Sequence, residues 1–198
     1  MSAVLRRHKR LPVPFQKPMP RNIEIKARIE SIPLTLSRTA AIATEGPIEI
    51  FQDDTFFTCV DGRLKLRTFS DVSGELIFYR RTDASGPRES SYLRSLTHDP
   101  NALRETLSAA YGAVGRVLKQ RILFRVGRTR VHLDLVHDLG AFIELEVVMR
   151  DEESADVGMR EAQELMERLG IDSGQLVERA YVDLLNDQVH AKRDNETT

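Results

Sequence analysis

Residues 128–150 read RTRVHLDLVHDLGAFIELEVVMR, and this stretch decides the fold class of the chain. Aliphatic side chains alternate with charged or polar ones on both sides of Leu139-Gly140. A period of two places successive side chains on opposite faces of a strand, and a turn containing glycine commonly joins antiparallel neighbours. The stretch therefore predicts a β-hairpin made of Arg128–Val136 and Ala141–Arg150.

The same period of two recurs through most of the chain and predicts six further strands. They cover Arg21–Ile29, Ile48–Cys59, Arg63–Arg67, Glu75–Arg81, Ser90–Leu96 and Arg116–Val126. Helical periodicity is confined to four segments with recognisable ends. They are Pro33–Ala43, a helix started by Asp99-Pro100, residues 154–169 before Gly170, and a last helix capped by Ser173. Eight strands with four helices predict an α+β protein built on an antiparallel sheet.

Composition separates the two ends of the chain from this core. Residues 1–20 hold four of the eight prolines and show no sustained periodicity, which predicts a disordered, basic lead-in. An organelle transit peptide is the less favoured alternative, because the segment is proline-rich and poor in serine. Residues 21–187 then form one predicted domain, and residues 188–198 form a polar tail.

Length and cysteine content limit the class of protein. The apolar runs of the 198-residue chain are too short to span a bilayer, so we expect a soluble protein without a membrane partner. The single cysteine, Cys59, cannot form an internal disulfide, which favours a reducing, cytoplasmic setting. We expect a small-molecule partner, no nucleic acid, and a monomer or homodimer.

The net charge of −1 conceals an uneven distribution of charge. Residues 1–21 hold six of the 29 basic residues and no acid, which leaves 23 basic residues against 30 acidic ones. Within the predicted strands, charged side chains share one face while the opposite face is mostly aliphatic. These faces carry Glu24, Lys26 and Arg28; Arg63, Lys65 and Arg67; Lys119 and Arg121; Arg128, Arg130, His132 and Asp134; and Glu144 and Glu146.

Two arrangements explain such charged faces. An antiparallel sheet can turn its polar face to water, which is the ordinary case. Alternatively, the sheet closes with the charged face inside, as a barrel or tunnel whose apolar outer face is covered by amphipathic helices. The second is favoured by signs that segregate, since bases gather on the third and sixth strands and acids on the eighth. The pattern alone leaves both open.

A charged tunnel would suit a triphosphate. Arginine and lysine match phosphate oxygens with forked and point-charge hydrogen bonds. Carboxylates are hard oxygen ligands of Mg²⁺ or Mn²⁺, and a divalent metal with a cationic clamp stabilises the charge that develops in phosphoryl transfer. The sequence contains no GxxxxGK[ST] loop and no evident Ser-His-Asp or Cys-His arrangement.

The segment Asn22-Ile23-Glu24-Ile25-Lys26 resembles the ExExK strand of the CYTH superfamily, which includes the triphosphate tunnel metalloenzymes, and is most similar to the class IV adenylate cyclase branch. Seven further blocks follow in the order of that family: Gln52–Phe57, Gly62–Arg67, Glu75–Arg81, Lys119–Arg121, Arg130–Asp134, Leu139–Glu146 and Tyr181–Leu185. The resemblance implies an eight-stranded antiparallel tunnel with a charged interior and helices packed outside.

The resemblance also implies a division of labour among the charged residues. The metal, Mg²⁺ or Mn²⁺, is expected at Glu24, Asp134, Glu144 and Glu146. Phosphate contacts are expected from Lys26, Arg28, Lys65, Arg67, Arg81, Lys119, Arg121 and Arg130; Arg80 competes with Arg81, because the register of that strand is open. We expect catalytic roles for Glu24, Lys26 and His132. From its strand position, His132 is either a hydrogen-bonded residue inside the tunnel, which is the favoured interpretation, or a phosphate contact or proton relay.

One departure from the family pattern leaves the reaction open. Asn22 stands where the first glutamate of ExExK is expected, so one carboxylate is missing. The resemblance to class IV adenylate cyclases implies conversion of ATP to cyclic AMP and pyrophosphate. The alternatives are hydrolysis of tripolyphosphate, thiamine triphosphate or a nucleotide, and a module that binds polyphosphate or nucleotide without turnover.

Overall fold

Eight strands of alternating sequence close into one antiparallel barrel in the computed structural model, which describes residues 18–81 and 86–196, with backbone alone for 194–196. The strands are β1 (Arg21–Arg28), β2 (Glu45–Phe57), β3 (Arg63–Ser70), β4 (Ser73–Arg81), β5 (Arg88–Thr97), β6 (Ala113–Val126), β7 (Thr129–Val136) and β8 (Gly140–Val148). The predicted fold class is confirmed. Most of the predicted lead-in, residues 1–17, lies outside the described residues.

The order of the strands around the barrel is β1-β5-β4-β3-β2-β6-β7-β8, and β8 closes onto β1. The hairpin predicted first is the β7–β8 pair, in which His132 lies opposite Glu144 and Arg130 opposite Glu146. In β1 and β8, Lys26 lies opposite Glu144 and Glu24 opposite Glu146. Because facing residues share one side of the sheet, this register brings the charged side chains of three strands together.

The hydrophobic core lies outside the barrel, between β1, β7 and β8 and the helices. Ile23, Leu133 and Leu145 are fully buried and pack with Ala162 and Leu165 of a helix. The apolar faces of β1, β7 and β8 therefore point outward and are covered largely by helices. This covering leaves the charged face for the interior of the barrel.

The helices are α1 (Ile32–Ala40), α2 (Pro100–Tyr111), α3 (Ala155–Leu169) and α4 (Tyr181–Glu196). Ser31 and Asp99 cap α1 and α2 by accepting hydrogen bonds from backbone N–H groups. Helix α3 ends at Gly170, whose φ of 67° is the left-handed conformation that glycine adopts readily. The predictions for α2 and α3 are confirmed.

The prediction of a last helix capped by Ser173 is wrong. Ser173–Gln175 form a single 3₁₀ turn, and α4 begins only at Tyr181. The intervening chain is extended because it bonds to β1: Leu176 bridges Ala27, and the N–H of Val177 donates to the carbonyl of Lys26 at 2.8 Å. Residues 176–183 thus cross one end of the barrel, and we call them the end-crossing segment.

Helix α4 continues through residues 188–196, so the predicted polar tail is helical as far as Glu196. Within the parts of the chain that the structure describes, none of the helices has both the length and the apolar character needed to cross a membrane.

The outward-facing core can be tested on one strand. Leu133 is 0% exposed and Leu135 is 48% exposed, although both lie on the outer face of β7. We expect Leu133→Ala to lower the free energy of unfolding by about 2–5 kcal/mol, because a buried side chain is lost and a cavity remains. Leu135→Ala is the matched control and should cost about 0.5 kcal/mol or less. Urea denaturation measures both; equal effects would contradict the described packing.

Candidate active site in the barrel

The interior of the barrel holds a cavity of about 300 Å³. Its wall is dominated by charge, and the sheet therefore turns its charged face inward rather than to water. The charged and ionisable side chains that line it are Glu24, Lys26, Asp54, Lys65, Arg67, Glu75, Arg81, Arg88, Arg94, Lys119, Arg121, Arg130, His132, Glu144 and Glu146.

One side of the cavity is a basic wall formed by β3, β2 and β6. Lys65 and Arg67 of β3 both bind the carboxylate of Asp54 on β2. The Lys65 Nζ–Asp54 Oδ2 distance is 2.8 Å, and Arg67 Nε and Nη2 each donate to Asp54 at 2.8 Å. The pKa of Asp54 is held far below its ordinary value: burial alone would raise it, but the two cations outweigh burial.

The same arrangement recurs on β6 and β7. Lys119 and Arg121 bind the carboxylate of Asp134, with Nζ–Oδ2 at 3.1 Å and two Arg121 bonds at 2.6 Å. In both cases the sequence Lys-x-Arg on one strand meets an aspartate directly opposite the arginine on the next strand. Because β3 and β6 are the two neighbours of β2, the two pairs form one continuous basic surface.

Asp134, an expected metal ligand, pairs with cavity cations in this structure. It is 0% exposed, does not line the cavity, and its oxygens accept bonds from Lys119, Arg121 and the Tyr181 hydroxyl. Burial alone would raise its pKa, but Arg121 and Lys119 hold the pKa well below its ordinary value. Asp134 is therefore the counter-ion of two cavity cations, and its role as a metal ligand stays a prediction.

The structure does not place Arg28 where the expected phosphate contact would require it. It has the strand parity of Lys26, but it is the last residue of β1, does not line the cavity and is exposed. Its Nη1 donates to the carbonyl of Leu139 at 3.1 Å, and its guanidinium lies 4.8 Å from the Phe142 ring centroid. The alternation of residues along a strand predicts which face a side chain lies on. It does not predict how far along the strand the cavity extends.

An acidic wall lies across the cavity on β7, β8 and β1. Ligand atoms of His132, Glu144 and Glu146 all lie within 4.8 Å of one another. His132 Nδ1 is 3.9 Å from Glu144 Oε2 and 3.7 Å from Glu146 Oε1, too far for hydrogen bonds. This buried nitrogen has no hydrogen-bond partner among the residues that the structure describes. Burial and the charge of Arg121 lower the pKa of His132, which favours the neutral imidazole.

Glu24 of β1 adds a third carboxylate to this wall. Its pKa is raised above the ordinary value, first by burial and then by the charge of Glu146. Glu144 differs: burial would raise its pKa, but Lys26, Lys119 and Arg121 hold it well below the ordinary value. Glu24 is therefore the carboxylate that the surrounding cations compensate least.

These groups fit a divalent cation. An unpartnered imidazole nitrogen, two carboxylates beside it and a further carboxylate with a raised pKa supply ligand atoms and a negative charge that a cation would relieve. Carboxylate oxygens are the ligands that Mg²⁺ and Mn²⁺ prefer. His132 was expected as a catalytic or hydrogen-bonded residue, and the structure places it within the ligand cluster.

Lys26 connects the two walls. Its Nζ is 3.2 Å from Glu144 Oε1 and 3.9 Å from the centroid of the Tyr181 ring. Burial lowers the pKa of Lys26 to about 8 even though Glu144 acts to raise it. Arg121 also reaches Glu144, with Nη2–Oε2 at 2.6 Å. The acidic wall is thus held in place by cations from both neighbouring sides.

Asn22 is buried and lines the cavity beside the acidic wall. With its amide oxygen turned toward β7, it accepts a hydrogen bond from Arg130 Nη2 at 2.9 Å. Arg130 also donates from Nε to Glu146 Oε2 at 2.8 Å. The neutral amide therefore takes the place of a carboxylate next to Arg130.

The structure decides between the two arginines of β4 and reveals cations that the sequence did not identify. Arg81 lines the cavity, whereas Arg80 faces outward and pairs with Asp61. Arg88 and Arg94 of β5 also line the cavity. Their signal was present, because residues 88, 90, 92 and 94 share one strand face, but the mixed chemistry of that face concealed it. Asp54 was overlooked because an acid among phosphate-binding bases looks misplaced until its neighbours are known.

The sequence matches the CYTH domain over residues 20–181, so the chain belongs to the CYTH domain family. No match was found among curated protein sequences.

Several solved structures share the fold. They include PH1012 from Pyrococcus horikoshii OT3 (20% identity, 82% of this chain and 98% of that chain, TM-score 0.74). A provisionally assigned adenylate cyclase from Vibrio parahaemolyticus is also similar (16% identity, 86% and 99%, TM-score 0.67). So is HpAC1 from Hippeastrum, a provisionally assigned adenylyl cyclase described as revealing a dominant triphosphatase activity (15% identity, 84% and 96%, TM-score 0.59).

The depressed pKa values of two cavity lysines can be measured directly. Burial lowers the pKa of both Lys26 and Lys65 to about 8, so each side chain should be charged below and neutral above that pH. NMR titration of the lysine Cε groups should show two such transitions. Asp54→Asn should move only the Lys65 transition strongly to lower pH, since that carboxylate favours the charged lysine. Two ordinary transitions near pH 10.5 would contradict the described burial.

Proposed function

We propose that this chain is a divalent-metal-dependent enzyme that acts on a triphosphate held inside the barrel. One observation carries the proposal. In a single cavity of about 300 Å³, two Lys-x-Arg pairs face a cluster of one imidazole and three carboxylates. A polyanion needs the first wall and a metal needs the second, and phosphoryl transfer is the chemistry that uses both.

The phosphate chain is proposed to lie along the basic wall. Lys65, Arg67, Lys119 and Arg121 present charged donors in pairs, with Asp54 and Asp134 behind them as counter-ions. These aspartates reduce repulsion among the bases before substrate binds and fix the guanidinium planes by bidentate bonds. Further phosphate contacts are proposed from Lys26, Arg81, Arg88 and Arg130, which line the same cavity.

The metal is proposed to bind Glu24, Glu144, Glu146 and His132. When bound, Mg²⁺ or Mn²⁺ would neutralise charge on phosphate oxygens and lower the pKa of an attacking hydroxyl group or water. Lys26, with its pKa of about 8, can hold or release a proton beside this cluster.

Two reactions are compatible with this site, and they differ in which phosphorus faces the nucleophile. In cyclisation of ATP, the ribose 3′-hydroxyl attacks the α-phosphorus and pyrophosphate leaves. In hydrolysis, water attacks the terminal phosphorus and orthophosphate leaves. Provisional assignment of the Vibrio protein supports the first, and the triphosphatase activity given for HpAC1 supports the second. The carboxylate cluster argues against a module that binds without turnover, because a simple anion receptor gains nothing from those acids.

A substrate panel distinguishes these reactions. Purified protein is incubated with Mg²⁺ or Mn²⁺ and, separately, ATP, tripolyphosphate or thiamine triphosphate. We expect turnover of at least one of them, lost with EDTA. Cyclic AMP with pyrophosphate identifies the cyclase, and orthophosphate identifies the hydrolase. A melting temperature raised by triphosphate without any product would instead identify a binding module and overturn the enzymatic proposal.

The metal cluster is tested by an isosteric charge removal. Glu146→Gln keeps the size of the side chain but removes a proposed ligand, so turnover should fall on the order of 10²-fold or more. Weakened Mn²⁺ binding, measured by calorimetry, should accompany the loss. Glu49→Gln makes the same chemical change on an exposed side chain of β2 and should leave turnover unchanged. Full activity of Glu146→Gln would show that this cluster is not the metal site.

A further inference from the structure

Three consecutive carbonyls of the end-crossing segment accept hydrogen bonds from three cavity cations. The carbonyl of Val177 accepts from Arg88 Nη2 at 3.3 Å, and that of Glu178 accepts from Arg81 Nη2 at 3.2 Å. The carbonyl of Arg179 accepts from Lys26 Nζ at 3.3 Å. The three cations come from β5, β4 and β1, so one short piece of chain gathers side chains from three neighbouring strands.

These bonds control where the positive charges point. Lysine and arginine have long side chains, and fixing one of them in a single rotamer costs conformational entropy. A side chain that is already held by a carbonyl loses less conformational entropy when a ligand binds, because it is partly ordered beforehand. The position of the segment is therefore linked to the readiness of Lys26, Arg81 and Arg88 to receive an anion.

The segment is itself anchored from outside the cavity. Asp183 forms a bidentate pair with Arg63 of β3, with distances of 2.9 and 2.7 Å. Its Oδ2 also accepts the N–H of Ala180 at 3.2 Å, at the start of α4. Neither Asp183 nor Arg63 lines the cavity. Arg63 lies on β3, which neighbours β4 on the side away from β5. The ion pair therefore holds the segment across the end of the barrel.

A second attachment shows that the segment is coupled to the basic wall as well. Tyr181 donates its hydroxyl to Asp134 Oδ2 at 3.1 Å, and its ring contacts Phe142 with centroids 4.9 Å apart. Asp134 is the counter-ion of Lys119 and Arg121. Movement of the segment would thus disturb cations on both sides of the cavity.

We propose that Asp183 and Arg63 are a positioning pair for triphosphate binding. By fixing the end-crossing segment, they set the three carbonyls that orient Arg88, Arg81 and Lys26 toward the cavity. The inference rests on the proposed function, because it assigns these cations to the phosphate site. It gives a role to the Tyr181–Leu185 block, which the catalytic chemistry by itself does not use.

Thermodynamic linkage adds a reciprocal consequence. If a fixed segment strengthens triphosphate binding by some factor, triphosphate must favour the fixed segment by the same factor. Hydrogen exchange of amides 176–183 should therefore slow when tripolyphosphate is added to the wild-type protein. In Asp183→Ala the same amides should exchange faster before ligand is added.

The test compares affinities for tripolyphosphate by calorimetric titration of metal-free, full-length protein. Asp183→Ala and Arg63→Ala should each bind about tenfold more weakly than wild type. The reversed pair, Asp183→Arg with Arg63→Asp, should recover a large part of the loss, which a merely structural defect would not. Gln188→Ala is the control on the same helix, because Gln188 is exposed and lies outside the end-crossing segment. It should bind like wild type.

Each outcome separates the inference from the function on which it rests. If wild type binds none of the three triphosphates of the substrate panel, the proposed function fails and this inference falls with it. If wild type binds, and both alanine variants bind equally well with unchanged exchange at 176–183, only the positioning role is overturned. Circular dichroism and melting temperature identify a variant that does not fold; Arg63→Ala then decides, since it leaves the Asp183–Ala180 bond in place.

Discussion

Pairing of buried opposite charges is the interaction on which the rest of the structure depends. Lys26, Asp54, Lys119, Arg121 and Asp134 are all at most 5% exposed, and an isolated ion at such depth would cost several kcal/mol. The barrel solves this problem by register: an aspartate faces the arginine of a Lys-x-Arg pair across adjacent strands, twice. Because each Lys-x-Arg pair needs the aspartate of a particular neighbouring strand, these charges help to specify which strands are adjacent in the barrel.

The buried charges are not equally well paired around the cavity. The less well paired groups lie on the acidic wall, where the metal is proposed to bind. The basic wall carries its own counter-ions, whereas the acidic wall leaves Glu24 with a raised pKa and His132 Nδ1 without a partner. A fold that only needed stability would replace such groups by apolar ones, since buried ionic clusters seldom stabilise more than well-packed hydrophobic residues. Their presence is better explained by ligands of opposite sign, a metal on one wall and a polyanion on the other.

The end-crossing segment applies the same principle with backbone dipoles. Carbonyls 177–179 accept hydrogen bonds from cations of β5, β4 and β1. Neutral acceptors hold a charged donor without cancelling its charge, so these cations keep their attraction for an anion. The barrel interior and its C-terminal helix therefore form one electrostatic unit, anchored on the outer side by Asp183 and Arg63.

The sequence by itself determined the strands and the face on which most of the charges lie, because a period of two is a local property of the backbone. The closed fold class followed from the order of the family blocks. The sequence also predicted residues that line the cavity, such as Lys65, Arg67, Glu144 and Glu146. Tertiary structure alone decided how far along each strand the cavity extends, which leaves Arg28 outside its lining, and which acids pair with cations, as Asp134 does. It also decided that residues 176–179 run extended rather than helical, because their partners lie on strands some 90–150 positions earlier. Such long-range pairings leave no periodic trace in the sequence.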